Sequence, residues 1–203
     1  MEHTPEGTCG WCLGSDIYEH YHHTEWGTPV DDDRLFFEFL SLEAFQAGLS
    51  WLTILKKREN FRKAFANFDA TKVAQFSTAD THRLLADTGI IRNRLKIAAT
   101  INNAQRFLET QAEFGRFSTY LWQFMGHTPH LNSPKTLADV PATTPLAATI
   151  SKDMKKRGFK FLGPTVMYAH MQASGMVNDH LITCPRRAEI IKHAHGKKYG
   201  LGA

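Results

Sequence analysis

Cysteine and histidine side chains near the two ends of the chain could together bind a metal ion. His180 and Cys184 are separated by three residues and could supply half of a tetrahedral zinc site. The amino-terminal segment offers candidates for the other half: Cys9, Cys12, His20, His22 and His23. Two sets fit, and spacing alone slightly favours the one that contains Cys12. The sets are Cys9, Cys12, His180 and Cys184, and Cys9, His22, His180 and Cys184.

A closed metal site of this kind would be structural, since it would tie the two ends of the chain together. Zinc binding contributes on the order of 10 kcal/mol of apparent free energy to the folding of small zinc domains. The three cysteines cannot all pair within the chain, and the opening Met1–Pro5 lacks a basic start followed by an apolar core. An export signal and an oxidising compartment are therefore not indicated. The alternative is free thiols beside histidines that other groups satisfy.

Glu43 is a carboxylate that helical spacing turns toward apolar residues. It follows Phe36 by seven positions, Phe39 by four and Leu40 by three, so all four side chains lie on one side of a helix. Burying a carboxylate costs free energy unless a partner or a ligand satisfies it. Glu43 is therefore a candidate site residue. The alternative is that it pairs with an arginine or a tyrosine of the core.

Aromatic residues from two segments could surround this carboxylate. Trp51 follows a glycine-containing bend just after Glu43, and Trp11, Tyr21 and Trp26 lie near the amino-terminal metal-ligand candidates. If a metal closes that segment onto the core, these rings could form a cage. The alternative is that the rings only pack against one another.

Residues 149–175 predict two helices joined by a short hairpin over residues 159–163. Gly158 can supply the positive φ that ends the first helix, and Gly163 lets the backbone approach a neighbour before Pro164 starts the second. Exposed amides at such a helix start can bind a DNA phosphate irrespective of sequence. The basic residues around the hairpin would add charge: Lys155, Lys156, Arg157 and Lys160. The alternative is an ordinary helical hairpin with a solvated basic end.

Helices must position all of these residues, because helix signals recur from about residue 31 to 175 and strand signals are scarce. We predict that residues 31–33 cap a helix ending near Gly48, that Ser50 caps the next, and that residues 77–80 form a capping box. Further helices are expected from about Arg92 and around residues 120–124. The sequence thus predicts an all-α fold, with one compact domain over residues 1–185. We expect a mobile loop over residues 126–145 and a solvated, partly mobile basic tail over residues 186–203.

The composition of the 203-residue chain is that of a globular protein, with 42% hydrophobic and 22% charged residues. Wholesale disorder is therefore excluded. No apolar run reaches the roughly 18 to 20 residues that a membrane-spanning helix requires, so we expect a monomeric cytoplasmic protein with no membrane partner. The formal net charge of +4 allows a nucleic-acid partner but does not require one.

Several short motifs occur in a fixed order between residues 9 and 184. They are CGW at 9–11, YH at 21–22, EWG at 25–27, LE at 42–43, QAGLSW at 46–51, KKREN at 56–60, GIIR at 89–92, KKRGFKF at 155–161, MQA at 171–173 and VNDH at 177–180. Together they closely resemble the 3-methyladenine DNA glycosylase I family of the helix-hairpin-helix glycosylase superfamily. The resemblance does not extend to the tail after Cys184.

The resemblance implies a role for each candidate. It assigns one structural Zn²⁺ to Cys9, His22, His180 and Cys184, against the preference from spacing for Cys12. It also implies that Glu43 is the catalytic residue and contacts a flipped base, that Trp51 stacks on that base, and that Trp11 and Tyr21 line the pocket. Gly48 and Leu49 match a turn that fills the gap left in the duplex. The hairpin pattern described above makes Gly158, Lys160 and Gly163 the other expected DNA contacts.

Many members of that superfamily use an aspartate a little beyond the hairpin as the catalytic group, and Asp179 lies near that place in this sequence. Because the resemblance puts Glu43 in the pocket, we expect Asp179 to hold the metal-site loop or a helix end instead. The implied activity is hydrolysis of the N-glycosidic bond of 3-methyladenine in alkylated double-stranded DNA after base flipping. Two alternatives are a non-catalytic zinc-containing protein that binds DNA or senses damage, and a zinc hydrolase with Glu43 as general base.

Overall fold

The computed structural model describes residues 6–201, and Met1–Pro5, which bear on an export signal, lie outside the described residues. The fold is predominantly α-helical, as the sequence predicted. Its helices are α1 Asp16–Thr24, α2 Asp33–Gln46, α3 Trp51–Ala64, α4 Ala70–Val73, α5 Thr78–Ala86, α6 Arg94–Phe114, α7 Phe117–Trp122, α8 Pro145–Lys156, α9 Pro164–Ala173 and α10 Pro185–Ala194. Two short strands, β1 His130–Leu131 and β2 Val177–Asn178, pair in parallel.

Local capping determines where several of these helices begin. Asp32 accepts a hydrogen bond from the Leu35 amide at 2.7 Å at the start of α2, and Ser50 accepts one from the Thr53 amide at 3.2 Å at the start of α3. Ser77 and Asp80 form the reciprocal capping box at the start of α5. Each cap satisfies an amide that lacks a partner within its own helix. These three starts were predicted from the sequence and are confirmed.

Helix α2 runs through the centre of the fold and contacts α3, α6, α7 and α9. Its residues from Phe36 to Phe45 are all buried, because apolar side chains occur on every side of the helix. Two of these buried residues are carboxylates, Glu38 and Glu43. Glu38 is paired with Arg58 and Arg62 of α3 at 2.6 and 2.7 Å. The fold therefore buries Glu43 outside that ion-pair network.

Helices α8 and α9 pack against each other. The end of α8 and the start of α9 lie where the sequence predicted them. Helix α8 stops at Lys156, Gly158 has a φ of +88°, and α9 starts at Pro164. A positive φ suits glycine because a Cβ atom would clash with the adjacent backbone. Residues 157–163 therefore form a short glycine-containing connection between two helices that contact each other.

The connection between α7 and α8 has more order than the sequence indicated. His130 and Leu131 pair with Val177 and Asn178, and the segment 137–139 forms a short 3-10 helix with its own capping box. Strands of two residues carry no alternation that sequence reasoning could detect. This pairing joins the connection to the segment that follows α9.

The carboxyl-terminal segment begins with α10 and is held to the core at several points up to Gly200, whereas the sequence predicted a solvated tail over residues 186–203. Ile190 of α10 is buried, the Tyr199 ring stacks on Trp122 with 4.9 Å between centroids, and the Gly200 amide donates to Asp31. These few anchors are too sparse to produce a periodic signal. Among the helices of residues 6–201, none has the length and apolarity to cross a membrane.

Candidate functional site

Four buried side chains from the two ends of the chain meet in one cluster: Cys9, His22, His180 and Cys184. Their candidate ligand atoms all lie within 4.8 Å of one another. The Cys184 sulfur is 3.6 Å from His22 Nε2 and 3.6 Å from His180 Nδ1, and the Cys9 sulfur is 3.8 Å from His180 Nδ1. The two ends of the chain therefore meet at this cluster, as the sequence suggested.

The geometry of this cluster fits a four-coordinate zinc ion. Sulfur and nitrogen ligands on one tetrahedral zinc are about 3.6 Å apart, given the usual bond lengths. The His180 Nε2–H donates to the Trp26 carbonyl at 3.0 Å, which leaves Nδ1 free to coordinate. Burial lowers the pKa of His22, which favours the neutral ring that a metal needs. Four protein ligands leave no position for a catalytic water, so this donor set does not suit a zinc hydrolase.

Cys12 is buried close to the cluster but is not part of it. Its thiol donates to the Cys9 carbonyl oxygen at 3.1 Å, and burial raises its pKa to about 11. Of the two ligand sets that spacing left open, the structure therefore brings together the one with His22. His22 faces the cluster from α1, whereas His20 on the same helix is exposed.

The Gly27 backbone closely approaches the His180 ring beside the cluster. Gly27 has a φ of +75°, and a Cβ at this position would lie 3.1 Å from the His180 ring. At the amino end, the Gly7 carbonyl accepts a hydrogen bond from Thr183 Oγ1 at 3.2 Å. Glycine at position 27 is therefore required for the His180 ring to pack beneath the loop that follows α1.

A cavity of about 340 Å³ lies beside the cluster and opens between α1, α2, α3 and α9. Its lining includes the four side chains that the sequence grouped as a pocket, namely Trp11, Tyr21, Glu43 and Trp51. Sequence reasoning did not assign the remaining lining residues to this pocket, apart from suggesting Trp26 for the cage. These residues are Tyr18, Gln46, Leu137, Val140, Ala169, Gln172 and Asp179.

The aromatic side chains of the cavity contact one another edge to face or at a tilt. The Trp11 ring lies 5.4 Å from Tyr18 at 89° and 5.0 Å from Trp26 at 73°, and Tyr21 lies 5.5 Å from Trp51 at 56°. Such contacts fix ring orientation beyond simple packing. Tyr18 could have been found from the sequence, since it precedes Tyr21 by one helical turn. The cavity walls are thus rigid and electron-rich.

Glu43 is 4% exposed, and its Oε2 atom has no hydrogen-bond partner among the described residues. Burial raises its pKa to about 8. The alternative of pairing with a core arginine is not what the structure has, because Arg58 donates to Glu38 at 2.6 Å and to Glu25 at 2.8 Å instead. A buried carboxyl without a partner is destabilising, and its position on a cavity wall suits a cationic or hydrogen-bond-donating ligand.

Asp179 is also buried on the cavity wall, but its carboxylate is fully engaged. It accepts hydrogen bonds from Tyr168 Oη at 2.6 Å, Gln172 Nε2 at 2.8 Å and Asn132 Nδ2 at 2.6 Å. These donors come from α9 and from the strand connection. Asp179 therefore joins the end of β2 to α9 and to the connection that follows β1.

The residues predicted to contact DNA lie in two exposed turns. Leu49 is 41% exposed in the turn after α2, where Gly48 has a φ of +82°. In the α8–α9 connection Lys160 is exposed, and a Cβ built at Gly163 would meet nothing within 4 Å. Both turns are therefore open to a large partner.

A helical fold with an aromatic cavity and an unpaired carboxyl on its wall defines a class of protein that encloses a planar ring. The comparisons with known proteins specify the family. A family model described as methyladenine glycosylase matches residues 11–187. The chain belongs to this methyladenine glycosylase family.

Similar proteins cover most of the chain. It is 46% identical over 176 residues to DNA-3-methyladenine glycosylase 1 of Escherichia coli (strain K12), which covers 87% of this chain and 94% of that protein. It is 43% identical over 177 residues to DNA-3-methyladenine glycosylase of Haemophilus influenzae, with 87% and 96% covered. The solved structure of 3-methyladenine DNA glycosylase I from Staphylococcus aureus superposes with a TM-score of 0.86 at 37% identity, covering 89% and 96%.

Proposed function

We propose that this protein is a DNA repair glycosylase that hydrolyses the N-glycosidic bond of 3-methyladenine in alkylated DNA. The single observation that carries the proposal is the unpaired, buried carboxyl of Glu43 on the wall of an aromatic cavity, in a chain of this family. The relatives named above act, by their names, on the same damaged base. The cavity is within the size range of pockets that enclose small ligands.

The cavity selects the base by its charge and its flat shape. Methylation at N3 gives adenine in DNA a positive charge, which the faces of Trp11, Tyr21 and Trp51 attract. Stacking of a base on an aromatic ring contributes roughly 1 to 3 kcal/mol. Glu43 accepts hydrogen bonds from the edge of the adenine, and the positive charge of the base favours the ionised carboxylate. The ligand thereby supplies the partner that Glu43 lacks.

Bond cleavage requires little acid catalysis, because the cationic base is already a good leaving group. The bond from the base nitrogen to C1′ breaks, its electron pair stays with the base, and the sugar becomes an oxocarbenium ion. Ionised Glu43 stabilises this developing positive charge electrostatically. Water then adds to C1′ and loses a proton to solvent, which leaves an abasic site. The unstacking cost is smallest for a damaged base, so extrusion adds to selectivity.

Two exposed turns would contact the duplex. Gly48 and Leu49 fill the gap that the flipped base leaves, which their exposure after α2 supports. Gly158, Lys160 and Gly163 bind phosphate at the start of α9, where open space around Gly163 supports close approach of a backbone. Because cavity and turns belong to one chain, we propose a monomer acting on double-stranded DNA, and the cytoplasm as its location.

Zinc is the proposed metal of the cluster, with a structural role. Cys9, His22, His180 and Cys184 would hold it as two thiolates and two neutral imidazoles. Its binding would keep Trp11 and Tyr21 against the core, because both lie between or beside ligands in sequence. No step of the bond cleavage involves the metal.

Release of the free base from DNA tests this proposal. The zinc-loaded protein is incubated with methylated duplex DNA, and the released bases are separated and identified. We expect 3-methyladenine among the products, at a lower rate from Glu43→Gln and at the parental rate from Cys12→Ser, which serves as the matched control. DNA binding without release of any base would instead support the non-catalytic alternative.

A further inference from the structure

Helix α2 ends in a turn, residues 47–50, whose exposed tip is Leu49; we name it the plug turn. A lysine from a distant helix holds its base. Lys96 Nζ of α6 donates to the Phe45 carbonyl at 2.8 Å and to the Ala47 carbonyl at 2.6 Å. Both carbonyls belong to the last turn of α2 or directly follow it, where helices leave acceptors without intrahelical partners. Lys96 therefore fixes where α2 stops and the plug turn begins.

Lys96 is buried, so its ammonium group is desolvated and depends on the two carbonyls for hydrogen bonds. The residue is 7% exposed, and burial lowers the pKa of its ammonium group. A cation is favoured at the carboxyl-terminal end of a helix, because partial negative charge accumulates there. A lysine so placed has only these two carbonyls as its hydrogen-bond acceptors among the described residues. The contact is thus dedicated to the plug turn.

The same helix also holds the other exposed turn. Asn103 of α6 is 3% exposed, accepts a hydrogen bond from the Lys160 amide at 2.8 Å and donates to the Lys160 carbonyl at 2.9 Å. Lys96 and Asn103 are seven residues apart, so they lie on one face of α6, about 10 Å apart along its axis. One rigid helix therefore sets the spacing between the plug turn and the α8–α9 connection.

We propose that Lys96 is a positioning residue for base extrusion, acting through the plug turn, with α6 as the brace that couples this turn to the phosphate-contacting connection. The inference rests on the proposed function, since it takes the two turns as DNA contacts. Lys96 is not among the residues that line the cavity. Its loss should let the plug turn shift relative to the connection, and so weaken the filling of a gap in the duplex while leaving the cavity intact.

The test compares three ligands with the zinc-loaded Lys96→Met protein, whose side chain keeps much of the stem but loses the donors and charge. The ligands are a duplex with an abasic-site analogue, called here the gapped duplex because one base is missing, the same duplex with that base present, called the intact duplex, and free 3-methyladenine. We expect affinity for the gapped duplex to fall about tenfold, because two charge-assisted hydrogen bonds are lost. Affinities for the intact duplex and the free base should equal those of the parent.

Lys57→Met is the matched control. Lys57 Nζ donates in the same manner to the Thr88 and Gly89 carbonyls, at 3.1 and 3.2 Å, but at a different turn. It removes the same charge and the same kind of contact, and should leave the preference for the gapped duplex unchanged. Equal losses from Lys57→Met and Lys96→Met would reduce the effect to general charge and overturn the proposal.

Further outcomes separate positioning from simple stability. Lys96→Gln retains one hydrogen-bond donor group. It should therefore lose affinity for the gapped duplex selectively, but by a smaller factor than Lys96→Met. Equal weakening toward all three ligands, no loss toward the gapped duplex, or failure of both Lys96 variants to fold would each overturn the positioning role. Failure of the proposed function is seen independently, as absence of 3-methyladenine release by the parent protein.

Discussion

Two buried polar sites lie side by side in this protein, and they treat their polar groups in opposite ways. In the Cys9, His22, His180 and Cys184 cluster the ligand atoms face one another at distances that suit one ion. On the cavity wall, Glu43 Oε2 is buried without a hydrogen-bond partner among the described residues. The first site is complete within the chain once a metal binds, whereas the second remains incomplete until a ligand enters.

Tryptophan side chains connect the two sites. Trp11 lies 5.5 Å from the His22 ring, and Trp26 lies 4.6 Å from the His180 ring, while both also line the cavity. The cluster therefore supports one wall of the cavity. From this difference we infer that the metal-bound cluster would hold the rings in place, and that the cavity with its unpaired carboxyl is the proposed binding site.

Metal removal should have the largest effect, because it would leave the stabilising site without its ion. Loss of a structural zinc removes on the order of 10 kcal/mol of apparent binding free energy. We expect a strong chelator to unfold the protein or lower its melting temperature sharply, as followed by circular dichroism. Restoring zinc should reverse the change. An unchanged melting curve after verified metal loss would show that the cluster is not the stabilising site.

Glu43→Gln should have the next largest effect, and it should stabilise the protein. The pKa of Glu43 is raised by burial from 4.5 to about 8, so its stability contribution is present below pH 4.5 and is lost as the pH rises through about 8. The free energy of unfolding of the variant should exceed that of the parent by an amount that grows over this window to a few kcal/mol. Denaturant unfolding at several pH values measures it. A gap independent of pH would show that Glu43 is not a destabilised carboxyl.

Cys12→Ser should have the smallest effect, about 1 kcal/mol or less, because serine can also donate to the Cys9 carbonyl. Elemental analysis should find the metal retained in this variant and lost in His22→Ala. Metal loss in Cys12→Ser with metal retained in His22→Ala would show that Cys12 is the ligand. The metal site would then consist of Cys9, Cys12, His180 and Cys184.

The sequence predicts these two sites unequally well. Helical spacing alone turns Glu43 inward, and capping side chains such as Ser50 predict where helices start, because both are local effects. Spacing could not choose between Cys12 and His22, since which of them faces His180 depends on how the two ends pack. The family resemblance was needed for that choice.

The parts of the cavity that the sequence missed come from non-local structure. Leu137 and Val140 reach the cavity from the connection between α7 and α8, which has no periodic pattern. Its order depends on the two-residue pairing of β1 with β2 and on Asn132, which donates to Asp179. These contacts join segments that are far apart in the sequence, so no local pattern predicts them.

Titration of free 3-methyladenine into the folded, zinc-loaded protein tests most directly whether the incomplete site is the binding site. The parent, Glu43→Gln and Trp51→Ala are compared by calorimetry, with Cys12→Ser as the control that leaves the cavity untouched. We predict weaker binding in both cavity variants, by about tenfold for Glu43→Gln and more for Trp51→Ala, which loses a stacking surface. Cys12→Ser should bind as the parent does. Parental affinity in both cavity variants would contradict the account and place base binding elsewhere in the protein.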